Sequence, residues 1–370
     1  MRFVIFTHSL VSDWNHGNAH FLRGVASELT RRGNEVRILE PAGGWSRTNL
    51  VAECGEQAIA DFESAYPLIR SETYDETTLD VDEALAGADV VLVHEWNTHS
   101  LVSRIGDHRR RHPEYRLYFH DTHHRAATDP AAMAAYDLRN YDGVLAYGRV
   151  IADTYKANGW TAHAAIWHEA ADTTVFRPLM DSAGKEGDLV WIGNWGDNER
   201  TCELREFLIA PVRALHLKAR VYGVRYPRYA LDELKSAGIE YGGWLPNYKV
   251  PEVFARYRVT VHIPRRPYAR ALPGIPTIRP FEAMACAIPL VSAPWDDSEE
   301  LFRTGRDYLV ARDESEMTGQ LRMLLREPAT AARLAQSGLE TIRSRHTCAH
   351  RVEELLHIAG THGLSAKGAS

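Results

Sequence analysis

The chain reads as an α/β protein assembled twice over, with two lobes that each hold a mostly parallel sheet covered on both faces by helices. Three observations predict this. Short apolar runs alternate with helical patterns in both halves of the sequence, which calls for parallel strands joined by crossover helices. Between Trp167 and Gly187 the periodicity lapses and Asp, Thr, Pro and Gly accumulate, as in a linker. The total of 370 residues suits two domains of ordinary size.

In the first half, Phe3–Phe6 is an apolar strand followed by a polar loop from Thr7 to Gly17. Phe21, Leu22, Val25, Ala26 and Leu29 then fall on one side of a helix that Gly33 stops, and Glu35–Leu39 reads as the next strand. Further strands are expected at Asp89–Val93, Tyr115–Phe119, Gly143–Ala146 and Ala164–Trp167. The segment from Gly43 to Gly87 is polar, with interrupted helical patches and no clear strand. No G-x-G-x-x-G stands between the first strand and helix, where His16-Gly17-Asn18 is found, so NAD binding has little support.

The second series begins with a strand at Asp188–Ile192, a tight loop from Gly193 to Asn198 and a helix at Glu199–Leu208. Strands follow at Arg220–Val224 and Val259–Ile263, with a helix at Tyr226–Ser236 between them and the run Glu240–Leu245 after it. Val250–Tyr257 is a short helix, and Pro289–Val291 and Tyr308–Ala311 complete the strands. Helices from about Ser315 and Pro328 close the lobe; a proline suits a first helical position. These readings divide the chain into a first lobe over 1–170, a linker over 171–187, a second lobe over 188–345, a last helix over 346–359 and a tail over 360–370.

Composition excludes several classes. A formal charge of −6 without a long basic block gives no nucleic-acid footprint. No apolar run approaches the roughly 20 residues that span a bilayer, and Met1–Phe6 leads straight into a polar loop, so a cytoplasmic protein is expected. Cys54, Cys202, Cys286 and Cys348 show no CxxC spacing, which argues against a disulfide framework and a structural zinc site.

The most informative stretch is Ala271–Asp297, in which a Gly- and Pro-punctuated loop runs into a helix and then a buried strand. Amides at a helix N-terminus point outward with partial positive charge, so Gly274, Ile275, Pro276 and Thr277 form a natural seat for a diphosphate. Arg279 can pair with phosphate oxygens, and the Glu282 carboxylate can accept two hydrogen bonds from a ribose diol. Arg265, at the carboxyl end of the Val259–Ile263 strand, is a second cation for the same charge. In the first half the rule that ligands sit beyond strand carboxyl ends singles out His8, His16, His20, His94, Glu95, His120, Asp121, His123 and His124. Of these, His16, His120 and Asp121 are the candidates for orienting or deprotonating an acceptor hydroxyl. The run His120–His124 also offers metal ligands, but adjacent histidines point in different directions on a regular element and no H-E-x-x-H face exists, so no metal is expected.

Arg279-Pro-Phe-Glu282-Ala-Met-Ala-Cys-Ala-Ile-Pro289-Leu-Val, followed by Glu299-Glu300-Leu-Phe and Tyr308-Leu-Val, resembles the nucleotide-binding half of GT-B glycosyltransferases. The R-x-F-E-A-x-A-C form is most similar to the spore-maturation CgeB-like branch of the group 1, family 4-like enzymes; Trp14–His20 and His346–Arg351 extend the likeness weakly. The resemblance implies two Rossmann-like domains with parallel sheets facing across a cleft, and a last helix that packs back on the first domain. It implies a glycosyltransferase without a cofactor or metal, using a nucleoside-diphosphate sugar, UDP-linked, as co-substrate. The acceptor, held by the first domain, would be a small molecule, a glycan or a lipid-linked hydroxyl. It places Gly193 and Asn194 at the diphosphate and Trp244 near the base, with a core role for that indole as the alternative. One departure stands out: retaining relatives often carry a sugar-facing glutamate eight positions before the second one, and here Gly274 stands there. Retention and inversion therefore both stay open, as do a nucleotide-sugar epimerase or hydrolase and a non-catalytic nucleotide-binding member.

Overall fold

The computed structural model describes residues 1–179, 184–196 and 198–361. Asp197 of the expected diphosphate loop, positions 180–183 of the expected linker and 362–370 of the expected tail lie outside the described residues. The chain forms two compact units: one comprises Met1–Ser12, Phe21–Glu169 and the chain from Cys348, the other Asp13–His20 and Ala170–Thr347.

The first unit is built on a seven-stranded sheet in the order β3-β2-β1-β4-β5-β6-β7. Its strands are β1 (Arg2–Phe6), β2 (Glu35–Pro41), β3 (Ser71–Tyr74), β4 (Val90–His94), β5 (Arg116–Asp121), β6 (Gly143–Ala146) and β7 (Ala164–Ile166). Every pairing is parallel, with Phe3 opposite Val36 on one side and Val90 on the other. The central strands read as continuous apolar runs because both faces are covered: Val90, Val91, Val93, Leu117 and Phe119 expose none of their surface. Each such side chain contributes roughly 1.5–3 kcal/mol relative to exposure. Strand β3 was not legible in the sequence because Ser71-Glu-Thr-Tyr74 is an edge strand whose two middle residues face solvent. The helix Cys348–Thr361 belongs to this unit, where Trp167 Nε1 donates to Arg351 O at 2.8 Å and Arg32 donates to Ala349 O at 3.2 Å.

The second unit has six parallel strands in the order β10-β9-β8-β11-β12-β13. They are β8 (Gly187–Ile192), β9 (Ala219–Tyr222), β10 (Ile239–Tyr241), β11 (Tyr257–His262), β12 (Leu290–Ser292) and β13 (Leu309–Val310). Leu189, Trp191, Val221, Val259, Val261 and Val291 form the centre of its core with Leu204, Phe207 and Leu208 from the helical segment after β8. That segment runs as α-helix over Thr201–Leu204, widens to a π-turn over Arg205–Ile209 and resumes at Ala210. Pro211, which has no N–H to donate, follows the widened turn. The start of the expected linker is packed: Ala170, Ala171 and Phe176 are fully buried, and Ala171 N donates to His346 O at 3.0 Å.

Both sheets reverse direction of growth at their middle, β1 to β4 in one and β8 to β11 in the other, which sets a crevice at the strand carboxyl ends.

Candidate functional site

In the second unit the loops after β8, β9 and β10 bring Gly193 and Asn194, Gly223 and Val224, and Trp244, Leu245 and Asn247 around one pocket, with Arg279 at its side. The opposite wall comes from far away in sequence. Asp13, Asn15, His16 and Gly17, from the loop after β1, line the same pocket and belong to this unit. The volume is about 90 Å³. Drug-sized ligands occupy pockets of roughly 300–1,000 Å³, so this space matches a phosphate- or sugar-sized portion of a ligand.

Hydrogen bonds to charged and amide side chains hold the loop in place. The Asp13 carboxylate accepts from Trp244 Nε1 at 3.0 Å and from Asn247 N at 2.9 Å. Asn15, with φ at 53°, accepts from Asn194 Nδ2 at 2.6 Å, and Asn194 Oδ1 in turn accepts from Val224 N at 2.8 Å. Gly223 allows the two strand-end loops to approach: its φ is +153°, and a Cβ there would lie 2.2 Å from Gly193 O. No side chain fits at that position.

Behind the pocket wall sits Glu282, on the helix Ile278–Ala285 and without accessible surface. Its Oε1 accepts from Asn247 Nδ2 at 2.7 Å and lies 3.0 Å from His20 Nδ1, while Oε2 is paired with Arg279. His20 Nε2 accepts from Asp172 N at 2.8 Å, so its ring proton is on Nδ1, facing the carboxylate. Burial pushes the Glu282 pKa upward, but the Arg279 charge and the hydrogen bonds from His20 and Asn247 outweigh it and hold the carboxyl below its ordinary value. A carboxylate only accepts, so Asn247 must turn its NH₂ toward Glu282, and its buried Oδ1 is left with no hydrogen-bond partner. An unsatisfied buried acceptor costs about 1–3 kcal/mol, which makes this oxygen receptive to a donor on a ligand.

Positive charge gathers nearby. Arg200 donates to Ile263 O at 2.9 Å and to Asn194 O, and its guanidinium lies over the Trp191 ring at 5.1 Å. Burial draws its pKa down to about 10, with Arg265 and Arg279 adding repulsion. His262 is drawn down to about 3 by burial and then by Arg200 and Arg279. Arg200 thus feels the charge of both Arg265 and Arg279, an environment that an anion relieves.

The structure sorts the expected residues. His16, Gly193, Asn194, Trp244 and Arg279 line the pocket together. Glu282 does not: it is reached only through Asn247 and Arg279, so in this state its oxygens are committed to the protein and not open to a ribose. The amide of Gly193 is spent on Tyr222 O at 2.8 Å. Those of Gly274 and Ile275 go to Asp296 O and Leu272 O, Pro276 has none, and the Thr277 hydroxyl is tied to His262 at 3.1 Å. The expected cradle of backbone amides is therefore largely occupied, because the loop needs those donors to hold its own shape. Gly274 has φ +83°, and a Cβ there would lie 2.5 Å from Glu299 Cγ, so the Glu299 side chain fills the space beside it. Arg265 is paired with Glu199 at 3.1 Å, and its guanidinium lies over Tyr268.

His120 and Asp121 belong to the first unit, at the end of β5, whereas His16 belongs to the second. Asp121 is fully buried, with Oδ1 accepting from His123 N at 3.0 Å and Oδ2 from Tyr155 Oη at 2.9 Å. Burial raises its pKa to about 6 against the pull of those bonds and of Arg125. That value would suit a general base, but the carboxylate has no surface from which to reach a substrate. His120 is packed against Trp167 at 4.8 Å, and burial lowers it to about 3. Both side chains are interior polar groups in this structure. Around them, His94 bonds to Thr122 at 3.0 Å, Arg125 to Glu95 at 3.2 Å, and the half-exposed Trp96 carries Arg125 over its face at 4.0 Å.

Sequence reasoning missed Asp13, Asn15 and Asn247. Asp13 and Asn15 flank Trp14 in the polar loop after the first strand, and Asn247 follows Trp244 by three positions, so the only signal was polarity next to an expected strand end.

Comparison with known proteins agrees with this architecture. Residues 200–357 match the family model described as glycosyl transferase-like. No curated protein matches the sequence. Among solved structures, sucrose-phosphate synthase from Thermosynechococcus elongatus superimposes with a TM-score of 0.66 at 13% identity, over 98% of this chain and 99% of that one. HepE from Anabaena, in complex with UDP and glucose, gives 0.67 at 14% identity over 98% and 100%. T4 phage BGT, in complex with its UDP-glucose substrate, gives 0.58 at 13% identity over 97% and 99%. The chain thus has the GT-B fold of glycosyltransferases, and its second half carries the sequence pattern of the glycosyl transferase-like family.

Proposed function

We propose that this protein is a glycosyltransferase that moves a sugar from a nucleoside diphosphate, UDP-linked, to an acceptor hydroxyl. The observation that carries the reading is the pocket at the strand carboxyl ends of the second unit, lined by Arg279, with the buried Arg200 close enough to be repelled by both Arg279 and Arg265. The family match over this half and the UDP and UDP-glucose named with HepE and T4 phage BGT support a nucleotide-sugar donor.

Breaking the anomeric bond leaves growing negative charge on the diphosphate. Arg279, with Arg200 and Arg265 behind it, would stabilise that charge as it develops, which is the largest lever such a site has and makes a metal ion unnecessary. The unpartnered Asn247 Oδ1 would accept from the nucleoside. Glu299, beside Gly274, is the carboxylate that would face the donor sugar in place of the missing glutamate. His16, at the pocket, is the residue to orient the incoming hydroxyl, and the first unit would hold the acceptor, with Trp96 as an apolar platform. The Arg279–Cys286 motif supports assignment to the CgeB-like branch. Among the described residues no helix is long and apolar enough to cross a membrane.

A panel of nucleotide sugars incubated with mixed acceptors and read by mass spectrometry tests this. Acceptor mass plus one sugar residue, unchanged by EDTA, is expected. Release of free UDP or an isomerised sugar with no acceptor adduct would replace transfer with hydrolysis or epimerisation.

A further inference from the structure

The first unit holds a second constellation that the proposed transfer does not use. Asp82, on the short helix Val81–Leu85, meets His108 on the helix His99–Arg111 and His112 just beyond it. Each offers one ligand atom, and these atoms lie within 4.8 Å of one another. We propose that these three residues form a binding site for a zinc-class divalent transition metal, which pins the two helices together.

The geometry and the supporting shell point the same way. His108 Nε2 lies 3.3 Å from Asp82 Oδ1. Two ligands each about 2.0–2.1 Å from a tetrahedral ion sit about 3.3 Å apart, so this pair needs little movement to share one. His108 and His112 are four residues apart, one helical turn, which sets both imidazoles on one face; their rings stack at 4.3 Å and 23°, so the His112 ring must turn for both nitrogens to converge on one ion. The other nitrogen of His108 is already engaged, with Nδ1 3.1 Å from Tyr115 Oη. A metal-binding imidazole characteristically has its second nitrogen held this way. His112 Nδ1 lies 3.4 Å from Glu114, which supplies a carboxylate behind that ring.

Arg111 competes for Asp82 at 3.7 Å, and Arg109 and Arg110 add positive charge to the same helix end. An ion must displace that contact, so the affinity expected is micromolar and not that of a closed structural zinc site. The location separates this site from the chemistry. The helix His99–Arg111 starts after β4 and runs back toward the start of β5, so its last turn lies at the strand amino ends, opposite to the ligand-binding side of a parallel sheet.

Titration of the full chain with Zn²⁺ by calorimetry, and with Co²⁺ by visible absorption, tests the assignment. One equivalent should bind, with tetrahedral Co²⁺ bands. His112→Ala should weaken it at least tenfold, and Tyr115→Phe, which leaves all three ligands, about 10–100-fold. UDP affinity should be the same in all three proteins. Absence of one-to-one binding, or equal affinity in wild type and His112→Ala, would overturn the site. Loss of affinity in His112→Ala with none in Tyr115→Phe would keep the three ligands and overturn the supporting role of Tyr115.

Discussion

Replacing Glu282 by Gln changes one oxygen for an NH₂ at a fully buried position, and its consequences can be worked from the contacts. The carboxylate takes Asn247 and His20 on Oε1 and Arg279 on Oε2. All three partners are donors, so either orientation of the glutamine amide sets N–H against N–H, and Arg279 loses its counter-charge. Breaking a buried ion pair from one side costs about 3–5 kcal/mol. With urea m-values of about 1–3 kcal/mol per molar, the unfolding midpoint of the second unit should fall by about 1 M or more. Urea denaturation followed by tryptophan fluorescence reads this directly, since Trp191 and Trp195 lie in the same core. The pH dependence has a definite sign. The native carboxyl is held below its ordinary 4.5, so its stabilisation is present above that pH and is lost as pH falls through the native value. The gap between wild type and variant should therefore be full at pH 7 and shrink below about 4.5. A midpoint moved by less than about 0.3 M, with UDP affinity alone reduced, would refute the buried placement and return Glu282 to the ligand surface.

Three further outcomes are expected. Asp13→Asn removes one of two charge-assisted acceptors for Trp244 and Asn247, so UDP affinity by calorimetry should drop by about 1.5–3 kcal/mol while the melting of the first unit stays in place. Gly223→Ala must place a Cβ 2.2 Å from Gly193 O at φ +153°; strain and overpacking together predict a loss of about 2–6 kcal/mol by denaturation, and a fully stable variant would contradict the close approach. Asp121 has a native pKa raised to about 6 from 3.8, so it favours the folded state below the lower value and loses that contribution as pH rises through the higher one. Asp121→Asn should flatten the stability profile between about pH 4 and 6, and an unchanged slope there would show that Asp121 is not the titrating group.

The two parallel-sheet series were legible in the sequence because both faces of each sheet are covered. Their central strands are then continuous apolar runs, and the helices between them keep one apolar side. Arg279 and Glu282 were singled out in the sequence as partners for a phosphate and a ribose, but their pairing with each other was not legible there. Nor was burial of the carboxylate, because its partners His20 and Asn247 come from positions 262 and 35 residues away in the chain, and only packing brings them to it. The same holds for Asp121: a polar residue at a strand end looks like a site until Tyr155 is seen to cover it. The grouping of Asp13–His20 with the second unit, though it follows the first strand, is likewise beyond any periodicity, which records local faces and not distant partners. Apolar rhythm along the chain thus marked the buried central strands and the helices between them, though not the edge strand β3. Which polar atoms meet, which are left unsatisfied and which are sealed from solvent was decided only when distant loops closed on one another, because hydrogen bonding depends on tenths of an ångström that no linear pattern encodes.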